Sequence, residues 1–183
     1  MLVTVIVACE AGFWVLLAGG LALRYLAKMP KLGAAVLLCE PLLELVLLVV
    51  TTLDLRAGGE PDWKHGLAAL YIGYTVTYGH YTVKWLDGHA AYRLAGGPKP
   101  AGAGHGRARA VHERKLAART AVAAGVAIGL LQAAIWWVGG AGDTSSLHAW
   151  QLMALRVTGI HALIAATYTV WPKRAPVDAA LRD

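Results

Sequence analysis

Charge is scarce in this chain: only 15% of its 183 residues are Asp, Glu, Lys or Arg. An ordinary soluble domain carries about 25%, so a soluble globular enzyme is excluded. Cysteine is scarcer still. Cys9 and Cys39 both stand inside apolar runs, so no set of loop cysteines exists to staple a small secreted module. Polar, low-complexity composition of the kind that keeps a chain disordered is also missing, since 57% of the residues are hydrophobic. No basic residue precedes Arg24. The first apolar stretch therefore lacks the positive start of a cleaved signal peptide and is expected to persist in the mature protein.

What is present is apolar sequence in long runs. A run of about 18 or more apolar residues reads as a membrane-spanning helix. Five such runs lie at approximately Leu2–Leu23, Leu32–Leu53, Leu67–Trp85, Thr120–Val138 and Leu147–Val170. Each is long enough to cross a hydrocarbon core of about 30 Å at 1.5 Å per residue. The predicted fold is all-α, a polytopic membrane protein with five transmembrane helices in one bundle. It occupies residues 1–175, including a basic loop at 87–119, and is followed by a short tail at 176–183.

Lys and Arg separate cleanly between the connections. Arg24, Lys28 and Lys31 follow the first run, eight basic residues fall between Lys84 and Arg119, and Lys173, Arg174 and Arg182 follow the last run. Only Arg56 and Lys64 stand on the other side. The positive-inside rule then puts the N-terminus outside and the C-terminus in the cytoplasm of a multi-pass cell-membrane protein. Most of the net charge of +6 resides in the 87–119 loop. With no aromatic or motif support there, nucleic acid is not an expected partner; anionic membrane lipids suffice. Trp63, Trp85, Trp150 and Trp171 stand near run ends, as anchors in an aromatic belt do. Gly125 and Gly129, four residues apart, would let a neighbouring helix approach closely.

Ionisable groups inside the runs carry the functional signal, because a charge near the bilayer centre costs at least about 2.5–3.5 kcal/mol on insertion scales. Counted at 1.5 Å per residue, Glu10 and Glu44 lie about 12–13 Å from the outer boundary, and Arg156 and Gln132 about 9–13 Å. Glu40, His80 and His161 lie near 20 Å on the same count. Glu40 and Glu44 are four residues apart and share a helix face. Two carboxylates that close in low dielectric do not both ionise, so one is expected to hold a proton. Pro41 between them removes a helical donor and kinks the helix. Arg156, the one basic group well inside a run, needs a facing carboxylate, and Glu10 and Glu44 match its depth. The expectation is an Arg156–carboxylate pair with Glu40 and His161 below it as a proton-handling pair, in one polar pocket in the outer half of the bundle. The blander reading is interhelical hydrogen bonding that merely holds register.

Tyr71, Tyr74, Tyr78, Tyr81 and Trp85 follow a 3-4-3-4 spacing and are expected to line one stripe of the third helix. Such a stripe is either a packing seam or the π-rich wall of a pocket. His80 and His161, at similar depth on parallel helices, raise the alternative of a b-type haem held between them. Zinc held by these histidines with Glu40 lacks any short ligand spacing. No cofactor is therefore assigned.

The stretch Gly66–His80, with its tyrosines at 71, 74 and 78, and the sequence Tyr168-Thr-Val-Trp-Pro resemble small uncharacterised integral membrane proteins of actinobacteria. That resemblance implies a membrane protein and transfers no catalytic residue.

Two function classes follow. One is an intramembrane acid–base enzyme on a lipophilic small molecule, of isomerase or prenyl-cyclase type. In it Glu40, Glu44 and His161 are catalytic, and Glu10, Arg156, Gln132, Tyr71, Tyr74, Tyr78 and His80 bind substrate. The other is a proton-coupled carrier or lipid-binding subunit using the same carboxylates. Five spans are few for alternating access, so a carrier would need a homo-oligomer.

Overall fold

The computed structural model describes residues 2–172; the side chains of Leu2, Val3, Ile6, Glu10, Lys64, His65, Leu94 and Ala95 are outside that description, as is the tail at 176–183. Six α-helices follow one another: α1 Leu2–Tyr25, α2 Pro30–Leu37, α3 Glu40–Arg56, α4 Lys64–Ala95, α5 Gly106–Val138 and α6 Ser145–Val170. A single 3-10 turn, Gly139–Ala141, sits between α5 and α6. No strand occurs among the described residues. Four stretches, Val7–Tyr25, Pro30–Arg56, Gly106–Ala141 and Ser145–Val170, are helical, long enough and apolar enough to cross a membrane. α4 has the length but not the apolarity, because Tyr, Thr, His and Gly dilute its aliphatic residues. The sequence count of five spans is thus approximate.

The second predicted span appears as two helices. Pro41 lies in the first turn of α3, where a missing N–H costs nothing, but it leaves the Leu37 carbonyl without its i+4 donor. The chain adapts by tightening. The Cys39 N–H donates to the Val36 carbonyl at 3.0 Å, a 3-10 type contact, before α3 resumes. The basic connection is shorter than the sequence suggested. α4 runs on to Ala95 and α5 begins at Gly106, so only 96–105 is irregular. Gly96 closes α4 at φ +64, the left-handed conformation that glycine adopts without a Cβ penalty.

The helices pack in chain order, with α1 against α2 and α3, α3 against α4, α4 against α5, and α5 against α6. Lighter contacts join α3 to α5 and α4 to α6. Small residues permit the closest approaches. A Cβ on Gly33 would fall 2.6 Å from the Gly20 carbonyl oxygen of α1, and one on Gly73 of α4 would fall 2.4 Å from the Ala123 oxygen of α5. Gly125 and Gly129 are different. Both are exposed and meet nothing within 4 Å, so the expected close helix approach is not made at those glycines within this chain. The α4–α5 contact uses Gly73 instead.

The hydrophobic core gathers Leu47, Leu48 and Leu55 of α3, Ala68, Ala69 and Ile72 of α4, Leu131, Ala134 and Val138 of α5, and Leu147 of α6. It fills the end of the bundle where α3 turns into α4 and α5 into α6. That is the end where the sequence placed a polar pocket. Thr51 and Thr52, buried there, return their hydroxyls to the Leu47 and Leu48 carbonyls of their own helix at 2.8 and 2.6 Å. The polar clusters lie further along the bundle.

Candidate functional site

Glu40 opens α3 just past the break and is 4% exposed. Its Oε2 accepts the Tyr71 hydroxyl of α4 at 2.6 Å. Its Oε1 is buried and finds no hydrogen-bond donor among the described residues. Tyr71 is held in turn by the edge of Phe13 of α1, with ring centroids 5.0 Å apart. Glu44 is buried one turn further on α3 and interacts electrostatically with Cys9 of α1 and Tyr71. Glu40 and Tyr71 line a cavity of about 360 Å³ between α1, α2, α3 and α4. Leu17, Leu21, Leu37 and Leu86 supply apolar wall, and His80 and Gly79 lie further along α4 on the same lining.

The far end of that cavity is closed by a polar knot. Arg24 of α1 donates through Nε to Asp87 Oδ1 at 2.8 Å, and through a terminal nitrogen to Oδ2. The Tyr25 hydroxyl donates to Oδ1 at 2.9 Å, and Arg24 also reaches the Pro30 carbonyl at 3.0 Å. Hydrogen bonding to Arg24 is the main reason that Asp87 sits below the usual carboxylate range, with Tyr25 assisting. Sequence reasoning used Arg24 only as an orientation signal and gave Asp87 no role. The available signal was a lone acid two residues past the end of the third run, at the level of the basic residues that follow the first.

A second cluster lies on the other side of α4. The Tyr78 hydroxyl donates to the Leu116 carbonyl of α5 at 2.9 Å and lies 2.7 Å from Thr120 Oγ1. Thr120 Oγ1 is 2.5 Å from His161 Nδ1 of α6. Tyr74 stacks on Tyr78 at 5.2 Å, nearly parallel, and its hydroxyl meets Thr82 Oγ1 at 2.9 Å. These groups border a cavity of about 490 Å³ between α4, α5 and α6. Thr120 is the residue that sequence reasoning missed here. It stands at the mouth of a predicted span, where a threonine reads as unremarkable.

The single enclosure expected from the sequence is therefore not formed. Arg156 is exposed on α6 and makes no ion pair among the described residues. α6 packs on α5 and α4, whereas Glu44 is on α3, so the expected Arg156–Glu44 pair is not made among the described residues. The Glu10 side chain itself lies outside the described residues. Glu40 pairs with Tyr71, and His161 with Thr120, so the expected Glu40–His161 pair is replaced by two separate ones. His80 and His161 line different cavities, which removes the haem arrangement proposed between them. No three His, Cys, Asp or Glu side chains converge among the described residues. Gln132 accepts from Gln151 Nε2 at 3.1 Å, an α5–α6 link away from both cavities. The tyrosine stripe is divided as well, with Tyr71 facing α3 and Tyr78 facing α5.

These features define an all-helical, polytopic integral membrane protein with polar side chains held inside its helix bundle. A Bacillus subtilis (strain 168) protein described as "Uncharacterized membrane protein YmcC" is 35% identical over 179 residues, which cover 97% of this chain and 96% of that one. The chain belongs to the family of that protein. The resemblance to uncharacterised membrane proteins thus holds, while the actinobacterial source it suggested is not shown. No protein-family profile matches the sequence, and no solved structure matches it significantly.

Proposed function

We propose that this protein binds a lipophilic molecule in the cavity between α1, α2, α3 and α4 and exchanges a proton with it at Glu40. The observation that carries this reading is Glu40 Oε1. It is a buried carboxyl oxygen without a donor, beside apolar walls, on a side chain oriented by Tyr71 through the other oxygen. A buried polar atom left without a partner is costly, and a ligand hydroxyl or carbonyl removes that cost. A volume of about 360 Å³ falls in the range of small-molecule sites. The oriented carboxyl suits general acid–base chemistry such as an isomerisation, in which the group accepts a proton at one ligand position and returns it at another. Glu44 lies one turn further along the same helix face. His161, Arg156 and Gln132 take no part in it.

In the membrane, the basic ends around Arg24, Lys84–Arg119 and the C-terminus face the cytoplasm, and the α5–α6 turn faces outside. The absence of Lys and Arg from 139–146 supports this orientation.

Extraction of the full-length protein in mild detergent, followed by mass spectrometry of bound molecules, tests the binding reading. A lipophile is expected at near-stoichiometric level. Gly79→Leu fills open space at the cavity wall, where only the Thr75 methyl lies within 4 Å, at 3.5 Å. It is expected to displace the ligand without unfolding the bundle. Equal retention by the Gly79→Leu protein would remove the cavity from the function.

A further inference from the structure

A third cavity, of about 670 Å³, lies at the basic end of the bundle between α4, the 96–105 connection and α5. Lys84, Trp85 and His89 of α4 line it, with His112 of α5 and the stretch from Pro100 to Ala103. Among the described residues, no carboxylate lines it. The two acids closest in sequence are engaged elsewhere. Asp87 is turned toward α1, where hydrogen bonds from Arg24 and Tyr25 occupy its two carboxylate oxygens. Glu113 is buried and paired with Arg109 at 2.6 Å, and that guanidinium lies over the Tyr168 ring of α6. Arg119 sits 4.6 Å over the ring of Tyr81, another wall residue, and adds charge of the same sign. One ammonium and two imidazoles thus border a space into which no carboxylate among the described residues projects. α5 also begins close by at Gly106, and no side chain caps its first N–H groups.

The position of the cavity favours a lipid over a soluble anion. Trp85 is 52% exposed beside Lys84 at the basic end of the bundle, and its ring lies 4.1 Å from that of His89. An exposed tryptophan at that level sits among headgroups. His89 Nδ1 donates to the Trp85 carbonyl at 2.8 Å, which leaves Nε2 as the nitrogen free for a ligand.

We infer that this cavity holds the phosphate of an anionic phospholipid headgroup, with Lys84 as its charge partner, His89 and His112 at its flanks and Trp85 as the interfacial anchor. The site is independent of Glu40 and of any ligand in that cavity.

The test uses the full-length protein reconstituted in vesicles of equal phosphatidylglycerol and phosphatidylcholine, then gently extracted for native mass spectrometry. Phosphatidylglycerol is expected to be retained in preference to phosphatidylcholine. Lys84→Gln combined with His112→Gln is expected to lower its retention by about fivefold or more. Arg107→Gln combined with Arg114→Gln removes two exposed charges from the same end and leaves retention unchanged. Should the double variant fold poorly, Lys84→Gln alone, at an exposed position, gives the same readout. Undiminished retention in the Lys84 variants overturns the site. An equal loss in the arginine pair overturns it too, by showing diffuse attraction to the surface. Displacement of the lipid by millimolar inorganic phosphate would assign the cavity to a free anion and overturn the lipid.

Discussion

Asp87 is the residue whose replacement has the plainest consequence. Asp87→Asn leaves Arg24, 13% exposed at its side chain, without a counter-charge; because the Asp87 side chain is 42% exposed, solvent screening holds the cost to about 1 kcal/mol. The cost depends on pH in a defined direction. Because Arg24 lowers the folded-state pKa of Asp87, the contribution is complete above the unfolded value of about 4 and fades as pH falls through the folded value. Denaturation of the detergent-solubilised protein should therefore separate Asp87→Asn from wild type at pH 7. The two should converge in strong acid, below pH 4; a gap that stays constant with pH would mean that Asp87 contributes through packing. Tyr71 offers a second contrast. Tyr71→Phe removes the described donor to buried Glu40 and is expected to cost about 1–3 kcal/mol. Tyr74→Phe, at an exposed residue whose hydroxyl meets Thr82, should cost less than about 0.5 kcal/mol.

At the level of helices, the glycines sort into contacts and open faces. Gly73→Leu drives a side chain into the Ala123 backbone and should destabilise the α4–α5 contact by about 1–3 kcal/mol. Gly125→Leu meets open space and should leave the monomer within about 0.5 kcal/mol, as melting of both variants would show. Spacing alone favoured the opposite assignment, since Gly125 and Gly129 form the recognisable pair and Gly73 stands alone. Periodicity says which glycines share a face; it does not say whether a neighbour lies against that face. Pro41 was more legible. Its missing N–H acts through bonds within the same helix, so the break between α2 and α3 follows from the local sequence without reference to any other element.

Across the whole molecule, orientation follows from charge and is open to direct measurement. In a background with Cys9 and Cys39 replaced by serine, Ser145→Cys should react with an impermeant maleimide on intact cells, and Gly102→Cys only after permeabilisation. Both positions are exposed and lie beyond opposite ends of α5. The reverse pattern would invert the topology. The same experiment at Glu60, which precedes α4, shows whether that less apolar helix crosses the bilayer with the others. Labelling from the side of Ser145 is expected.

Membrane class, all-helical content and approximate span positions could all be taken from residue order. The reason is that each depends on one helix at a time, and 1.5 Å of rise per residue converts a run of residues into a length. The grouping of the polar side chains could not. Glu40 and His161 were placed at one level, yet each has a different partner, because their helices lie on opposite sides of α4. Azimuth around a bundle is set by which helices pack together, and that is a property of long-range contacts. Residue order supplies the position of each group along its own helix, and only the packed bundle supplies its neighbour.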